Sequence, residues 1–131
     1  MKLIIPGCVR LLIGLGILIS LSSCGRESRR VIGVVPKSQA HVFWMAVHAG
    51  ALTAANKSGF EVYWNAPSME TDYARQVEIL DDMINRRVEA ILLAPSDSEA
   101  LVPAINRVNA AGIPLTIFDS SANTENYLSF V

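Results

Sequence analysis

The sequence predicts an α/β fold, in which helices cover both faces of a doubly wound parallel sheet. Three observations favour this class: short apolar runs alternate with helical patterns, each run is bounded by turn-forming residues, and hydrophobic residues make up 51% of the chain. Alternating strands and helices build a parallel sheet because each right-handed crossover returns the chain to the same end of the sheet. With 131 residues, the chain has room for one domain at most.

Five apolar runs are predicted to be the strands. The first four are short, rich in β-branched or aromatic residues and bounded by turn formers, as expected of strands that are buried on both faces. The expected order in the sheet is 2-1-3-4-5, the flavodoxin-like arrangement. The five runs are Val31 to Val35, Phe60 to Trp64, Ala90 to Leu93, Ile113 to Phe118 and Tyr127 to Val131.

Two predicted helices fill the gaps between the first three strands. The first spans Phe43 to Lys57 and stops at Gly59, a residue that often ends helices because it adopts the left-handed conformation without strain. The second spans Asp72 to Arg86 and carries an amphipathic stripe. The residues expected to share one face are Val47, Ala51, Ala54 and Ala55 in the first helix, and Tyr73, Val77, Leu80 and Ile84 in the second.

A third helix is predicted from a capping box formed by Ser96 and Glu99. In such a box the hydroxyl and the carboxylate each accept a hydrogen bond from a backbone amide that the helix leaves free. We expect this helix to end at Gly112, and Pro114 to prevent it from continuing. Its core-facing stripe is Leu101, Ile105 and Val108.

Residues 1–23 are predicted to be a lipoprotein signal peptide. Lys2 and Arg10 are the only charges before Cys24, and the uncharged run from Leu11 to Leu21 is shorter than the roughly 20 residues that span a bilayer. The exit, Leu21-Ser22-Ser23-Cys24, resembles the lipobox of bacterial lipoproteins. This resemblance implies cleavage before Cys24, lipid on its thiol, and an exported protein anchored at the cell envelope, facing the periplasm or the extracytoplasmic side.

A transmembrane anchor from Leu3 to Leu21 is the alternative for the same segment. It would place Arg10 near the bilayer centre at a cost of a few kcal/mol, so the signal peptide is favoured. Residues 24–30 then form a lipidated polar tether, and residues 31–131 form the folded domain. Cys8 leaves with the signal peptide and Cys24 carries lipid, so no cysteine remains for a disulfide or a metal site.

Composition and charge exclude several functions. A formal net charge of -1, with no basic stripe, argues against nucleic acid as a partner. The expected ligand edge has no glycine-rich phosphate loop and no recognisable nucleophile–base pair, and His41 is its only possible metal ligand. We therefore expect a protein that is not an enzyme and that uses neither a cofactor nor a metal.

The loops after the strands are expected to hold the ligand, because open α/β sheets bind ligands at the carboxyl ends of their strands. Aromatic rings, hydroxyls, amides and carboxylates occur together in these loops. Such a surface suits neutral polyols, since carboxylates and amides bond to hydroxyls and flat rings stack on the apolar faces of sugars. The loops are Pro36 to Trp44, Asn65 to Thr71, Pro95 to Ser98 and Asp119 to Asn123.

A set of short motifs occurs along this frame in a characteristic order and spacing. The motifs are Phe43-Trp44, Ala66-Pro67-Ser68, Thr71-Asp72 with Gln76, Ala94-Pro95-Ser96-Asp97, and Ala111-Gly112-Ile113-Pro114 with Phe118-Asp119-Ser120. They resemble the first lobe of type I periplasmic binding proteins of the ribose/galactose group. The resemblance implies a periplasmic-binding-protein-like I fold, a neutral monosaccharide or related polyol bound between two lobes, and the permease of an ABC-type sugar importer as partner. The lac-repressor family shares this lobe but carries a helix-turn-helix where this chain has its export signal.

Four residues are carried over as ligand contacts. Phe43 and Trp44 match the family's aromatic pair that stacks on sugar, Asp119 matches the carboxylate that accepts sugar hydroxyls, and Ser120 lies beside it. Two positions differ from the ribose binders. Where those proteins have an amide side chain after the third strand, this chain has Ala94, and where they have an arginine beside the carboxylate, this chain has Ser120. Both changes remove polar contacts, so another pentose, a hexose, a polyol or a nucleoside stays open in place of ribose.

Other roles for these residues stay open at this point. Phe43 and Trp44 could cover the core, and Asp119 could cap the loop to the fifth strand. The competing function is an exported flavodoxin-like enzyme or signalling module in which Asp97 or Asp119 is a phosphoacceptor, and export disfavours it because the periplasm lacks ATP. Val131 falls near the point where the resembling family first leaves its first lobe. We therefore expect residues 31–131 to be the N-terminal lobe, with the second lobe absent and one sheet edge unfinished.

Overall fold

The computed structural model of the protein describes residues 30–131. Within this range the chain forms five strands and three helices. The predicted signal peptide, Cys24 and the tether before Arg30 lie outside the described residues. None of the helices in the described range is long and apolar enough to cross a membrane. The elements are β1 Arg30–Val35, α1 Val42–Ser58, β2 Phe60–Trp64, α2 Tyr73–Arg86, β3 Ala90–Leu93, α3 Val102–Ala110, β4 Leu115–Ile117 and β5 Ser129–Phe130.

The strands form one parallel sheet in the order β2-β1-β3-β4-β5. Both the α/β class and the strand order predicted from the sequence are confirmed. β1 lies inside the sheet, where Ile32 is paired with Val62 of β2 and Val35 with Leu93 of β3. A strand with neighbours on both sides and helices above and below has no polar face, which explains its continuous apolar run.

Strand boundaries differ from the prediction at both ends of the chain. β1 begins at Arg30, one residue earlier than expected, and the Arg30 Nε donates to both carboxylate oxygens of Glu89 at 3.0 and 2.8 Å. β4 and β5 are shorter than expected. The residues flanking β5 still join the ladder, because the backbone amides of Leu128 and Val131 donate to carbonyls of β4 at 2.7 and 3.0 Å.

The main core lies on the face of the sheet that α2 and α3 cover. The predicted stripe of the third helix is confirmed, since all three of its members are fully buried. Burying one such Leu or Ile side chain stabilises the fold by about 1.5–3 kcal/mol. The largest fully buried aliphatic side chains are Ile79, Leu80, Met83, Ile91, Leu93, Leu101, Ile105 and Ile117.

The buried face of α2 is rotated from its predicted stripe. Tyr73, which was expected to face the core, is exposed. The rotation brings in Gln76, a polar residue that a hydrophobic period cannot select, and Met83, which packs on β1 at Gly33. A Cβ at Gly33 would lie 2.4 Å from the Met83 Sδ, so a larger residue there would have to displace the end of the Met83 side chain. The buried residues of α2 are Gln76, Ile79, Leu80 and Met83.

α1 packs on the opposite face and is less well buried. Trp44 and Ala55 are its buried residues, whereas Ala54 from the predicted face is exposed. An apolar cavity of about 210 Å³ lies where the small side chains of α1 meet the sheet. Gly59 ends the helix in the left-handed conformation, with φ of 73°, as predicted. One buried side chain near each end therefore anchors α1, and the Trp44 end lies at the carboxyl edge of the sheet.

Candidate functional site

The loops after β1, β2, β3 and β4 form the carboxyl edge of the sheet. The structure places all four predicted ligand contacts at this edge: Asp119 and Ser120 follow β4, and Phe43 and Trp44 lie in the first turn of α1. Their contacts divide the edge into two groups of side chains, one charged and one aromatic. The two groups adjoin where Phe118, which contacts Trp44, precedes Asp119 in the chain.

The charged cluster consists of Lys37, Asp119 and Ser120. The Lys37 Nζ lies 2.8 Å from Asp119 Oδ2 and donates to Ser120 Oγ at 2.5 Å. The Ser120 hydroxyl donates to the same Asp119 Oδ2 at 2.9 Å. Because β3 separates β1 from β4, the Lys37 side chain reaches across the carboxyl end of β3 to make these contacts.

Asp119 is held in its ionised form. The hydrogen bond from Lys37 is the main reason why the pKa of the Asp119 carboxyl lies below its ordinary value; partial burial opposes this shift, and the hydrogen bond from Ser120 adds to it. The side chains of Lys37 and Asp119 are 19% and 31% exposed. Within residues 30–131 both hydrogen bonds to the carboxylate reach Oδ2, so Oδ1 remains available as an acceptor.

The backbone of Asp119 is unusual. Its φ of 67° lies in the left-handed region, which few residues other than glycine, asparagine and aspartate adopt readily. Its amide donates a hydrogen bond to the carbonyl of Val131 at 3.1 Å, beside β5. The turn after β4 therefore aims the carboxylate along the edge while the backbone stays tied to the last strand.

The aromatic cluster consists of Phe43, Trp44 and Phe118, with Glu70 at its margin. Neighbouring positions on a helix point about 100° apart, so the two adjacent aromatic residues differ in burial. Trp44 is 3% exposed and Phe43 is 48% exposed. The Trp44 ring meets Phe43 and Phe118 edge to face, with centroids 4.8 and 6.2 Å apart. Its Nε1 donates to Glu70 Oε1 at 2.7 Å. Trp44 thus supports the edge from within, and Phe43 offers the accessible ring.

Gln76 joins the loops beneath the edge. Its side chain is fully buried, and its Nε2 donates to the carbonyls of Pro36 at 3.2 Å and Ala94 at 2.7 Å. Its Oε1 accepts a hydrogen bond from the backbone amide of Ser96 at 2.9 Å. These bonds fix the loop after β1, which carries Lys37, against the loop after β3.

The predicted capping box of the third helix is wrong. α3 begins after Leu101 without any side-chain cap, and the buried Ser96 hydroxyl has no partner among the described residues. Asp97 instead accepts two backbone amide hydrogen bonds in the turn before α3, at 2.9 and 2.7 Å, and these lower its pKa. Glu99 accepts from Asn123 across the edge. A charged acceptor next to Ser96 bonds these amides more strongly than the hydroxyl can.

Both histidines have structural contacts. His41 caps α1 by accepting from the backbone amide of Phe43 at 3.2 Å, and His48 stacks on Trp64 with ring centroids 4.3 Å apart. Asp72 caps α2 by accepting from the backbone amide of Arg75 at 3.0 Å. Across residues 30–131, no three His, Cys, Asp or Glu side chains come together in a group that could hold a metal ion.

Sequence reasoning missed three residues of the edge: Lys37, Gln39 and Glu70. Gln39 ties the loop after β1 to the loop after β2 through two hydrogen bonds. Its side-chain Nε2 donates to the carbonyl of Ala66 at 2.6 Å, and its backbone amide donates to the carbonyl of Pro67 at 3.1 Å. A usable signal existed for Lys37 alone. The predicted strand order places the loops after β1 and β4 on either side of β3, close enough for a lysine in one to meet an aspartate in the other.

Comparison with known proteins identifies the family. Residues 32–131 match the model of the periplasmic binding protein domain. The chain belongs to this family. The predicted resemblance to the first lobe of type I periplasmic binding proteins is thereby confirmed, as is the prediction that the chain is not an enzyme. Membership of this family also indicates a location outside the cytoplasm.

Curated relatives of the periplasmic binding protein family are named for sugars. The chain is 35% identical over 91 residues to the D-ribose/D-allose-binding protein of Pseudomonas aeruginosa. The aligned region covers 68% of this chain and 28% of that protein. It is 29% identical over 101 residues to the ribose import binding protein of Bacillus subtilis, covering 77% of this chain and 32% of that protein. The chain therefore spans under a third of the length of either relative.

Solved structures of periplasmic binding proteins share the fold. A solute-binding protein of an ABC transporter from Agrobacterium vitis, with bound D-fucose, is 38% identical with a TM-score of 0.73, over 76% of this chain and 36% of that chain. A carbohydrate transporter solute-binding protein from Agrobacterium radiobacter, in complex with D-arabinose, is 26% identical with a TM-score of 0.76, over 79% and 35% of the two chains.

Proposed function

We propose that this chain forms the first lobe of a substrate-binding lipoprotein of an ABC-type sugar importer, and that its ligand is a neutral monosaccharide or related polyol. Phe43, Trp44, Asp119 and Ser120 form its side of the ligand site, and a second lobe forms the other. Lipid on Cys24 anchors the protein to the membrane, and the permease of the importer receives the sugar.

One observation carries this proposal: an accessible aromatic ring and a free carboxylate oxygen lie on the same edge. Phe43 is 48% exposed, and its ring can stack on the apolar face of a sugar. Asp119 offers Oδ1 to a sugar hydroxyl, and hydrogen bonds to charged groups are the stronger ones. The sugar names of the relatives agree with this combination.

A two-lobed protein tests the proposal. Residues 31–131 are joined to the second lobe of the Pseudomonas relative, and binding of D-ribose, D-allose and xylitol is measured by calorimetry. Asp119→Ala should weaken binding by about 1.5–3 kcal/mol, the value of a hydrogen bond to a charged group. Glu125→Ala, which removes an exposed carboxylate before β5, is the control and should have no effect. Normal binding by both Asp119→Ala and Phe43→Ala would show that the site is elsewhere.

The chain by itself offers one wall of such a site. Small ligands bind where most of their surface is buried, so one wall holds a sugar weakly. We expect residues 24–131 alone to give no calorimetric signal at millimolar sugar. Tight binding with a sharp two-state melt would contradict the proposal that the ligand lies between two lobes.

Lipid attachment needs a separate test. Cys24→Ala should abolish incorporation of a radioactive fatty acid and leave an unprocessed precursor. Cys8→Ala is the matched control, because this cysteine belongs to the predicted signal peptide and its loss should change neither labelling nor processing. Equal labelling of the wild type and Cys24→Ala would rule out the anchor.

A further inference from the structure

The amino end of the sheet, opposite the ligand edge, carries two exposed cations without an ion pair. The helices run opposite to the parallel strands, so the last turn of each helix lies at this end. Lys57 lies in the last turn of α1, and Arg87 follows α2. Every other lysine and arginine in residues 30–131 is ion-paired with a carboxylate.

The carboxyl end of the sheet is acidic by comparison. Four carboxylates in its loops accept hydrogen bonds from neutral groups, so no cation balances their charge. Lys37 is paired with Asp119 alone. The near-zero net charge of the chain is therefore the sum of two ends that differ in charge. The four carboxylates are Glu70, Asp72, Asp97 and Glu99.

Carboxylates also occur at the amino end, but there they are balanced. Glu89 is paired with Arg30, and Asp81 and Asp82, within α2, are paired with Arg107 and Arg86. Lys57 and Arg87 offset the two further carboxylates at this end, Glu61 and Glu125. An anionic surface therefore meets mobile, exposed cations at the amino end and an excess of negative charge at the carboxyl end.

The amino end is also where the proposed lipid anchor joins the folded domain. Cys24 precedes Arg30, the first residue of β1, by six positions. An extended chain spans at most about 3.3–3.6 Å per residue, so lipid on Cys24 would hold the start of β1 within about 20 Å of the membrane. The tether between them adds Arg26 and Arg29 against Glu27.

We propose that the amino end of the sheet is a membrane-facing surface, on which Lys57 and Arg87 contact the headgroups of anionic phospholipids. The inference rests on the proposed anchor at Cys24 and adds an orientation to it, with the ligand edge pointing away from the bilayer. Anionic lipids attract cations that lie within a Debye length of the surface. The same lipids repel the acidic carboxyl end, so both forces favour this orientation.

Stabilisation of the helix ends does not account for the Arg87 guanidinium. A cation in the last turn of a helix complements the helix dipole, and Arg86 already occupies that place in α2. Arg87 lies beyond the last turn and caps the helix through its backbone amide, which donates to the carbonyl of Ile84 at 3.0 Å. Its exposed guanidinium remains available to a lipid phosphate, a group that arginine binds with two parallel hydrogen bonds.

The experiment measures which end of the lipidated full chain lies near a bilayer. The chain is reconstituted in nanodiscs of phosphatidylcholine, or of phosphatidylcholine mixed equally with phosphatidylglycerol. Added lipid with a gadolinium chelate on its headgroup broadens the NMR signals of nearby amides. In the phosphatidylglycerol discs we expect Gly59 and Val88, at the amino end, to broaden more than Ala66 and Ser96. Salt at about 1 M should abolish this preference, because it shortens the Debye length to about 3 Å.

Substitutions test the two cations separately. Lys57→Gln and Arg87→Gln should each lower the preference for the amino end by about fivefold, which corresponds to about 1 kcal/mol for one cation near an anionic surface. Arg75→Gln is the matched control, because it removes an exposed arginine at the opposite end of α2, and it should not lower the preference. Amide spectra show whether each variant is folded.

Three outcomes would contradict the proposal. Equal broadening of both ends in phosphatidylglycerol, or a preference that salt does not weaken, would overturn the inference while the lipid anchor stands. A loss of preference in Arg75→Gln as large as that in Arg87→Gln would show that total charge acts and not this surface. A chain without fatty acid would overturn the anchor together with this inference, as the Cys24→Ala labelling test reveals independently.

Discussion

The charged and aromatic clusters occupy one edge, yet folding leaves very different groups free in them. In the aromatic cluster Trp44 is buried and its indole N–H is bonded to Glu70, so the fold uses nearly all of its surface. In the charged cluster Lys37 and Asp119 bond each other and still keep a donor and an acceptor. The groups that a ligand can use are therefore the hydrogen-bond donors and acceptors that still lack a partner after folding. Residue type alone does not identify these groups.

The largest expected effect is a difference in unfolding free energy between alanine substitutions of Trp44 and Phe43. Trp44→Ala should lower the free energy of unfolding by about 3–5 kcal/mol, because it empties a buried position between α1 and the edge. Phe43→Ala, one residue away, is its control and should cost under about 1 kcal/mol, since its ring is half exposed. Denaturant unfolding of both variants measures the difference. Equal losses would show that the two rings do not differ in structural role.

The next largest loss of stability is expected on substitution of Gln76, which lies beneath the charged cluster. Gln76→Leu keeps the volume but leaves the carbonyl of Ala94 and the amide of Ser96 without this partner, at a cost of about 1–3 kcal/mol for each buried group. Hydrogen exchange of the loop that carries Lys37 should also become faster. Asn85→Leu, which changes an exposed amide side chain on the same helix, serves as the control. A loss of stability no larger than that of Asn85→Leu would contradict this role.

A double-mutant cycle tests the link between the indole and its carboxylate. Trp44→Phe removes the donor and keeps a ring, and Glu70→Ala removes the acceptor. Their coupling in unfolding free energy should be about 1 kcal/mol, because the carboxylate is partly solvated. The same cycle between Trp44→Phe and Glu78→Ala, a carboxylate on α2, should give no coupling. Additive losses at Glu70 would mean that this hydrogen bond does not stabilise the protein.

The smallest effect is the pH dependence of the charged cluster. Because the folded pKa of Asp119 is depressed, its contribution is fully present above the unfolded pKa of about 3.9 and is lost as pH falls through the lower folded value. Exposure of the pair limits this contribution to about 1 kcal/mol or less. In urea unfolding, the stability difference between wild type and Asp119→Asn should shrink below pH about 4. A difference that stays constant down to the acid limit would show that Lys37 does not hold the carboxylate.

Periodicity predicted most of the fold, because burial on a sheet or along a helix stripe follows local residue order. The stripe of α3 is an example, whereas the end of α1 at Gly59 was predicted from the residue type. The buried face of α2 was misplaced, since Gln76 is buried through hydrogen bonds to three distant backbone groups and a hydrophobic period cannot select it. The capping box failed for a related reason, because Asp97 competes locally with Ser96 for the same amides.

The four predicted ligand contacts were found at one edge, but their different exposure was not predictable. Phe43 and Trp44 are adjacent aromatics, and only the rotation of α1 about its axis decides which of them is buried. Lys37 and Asp119 are separated by 82 residues, so their contact depends on the width of β3 and on the shape of two turns. Such distances are set by tertiary packing and cannot be predicted from the residues around either position.

The left-handed backbone at Asp119 limits how this surface can change in evolution. At a φ of 67° a β-branched or bulky side chain is strained, so asparagine and glycine are the substitutions that the turn accepts with little cost. Of these two, only asparagine keeps a side-chain acceptor. Lys37 and Ser120 have no such backbone constraint. Descendants of this protein can therefore vary the residues at positions 37 and 120 more freely than the residue at position 119.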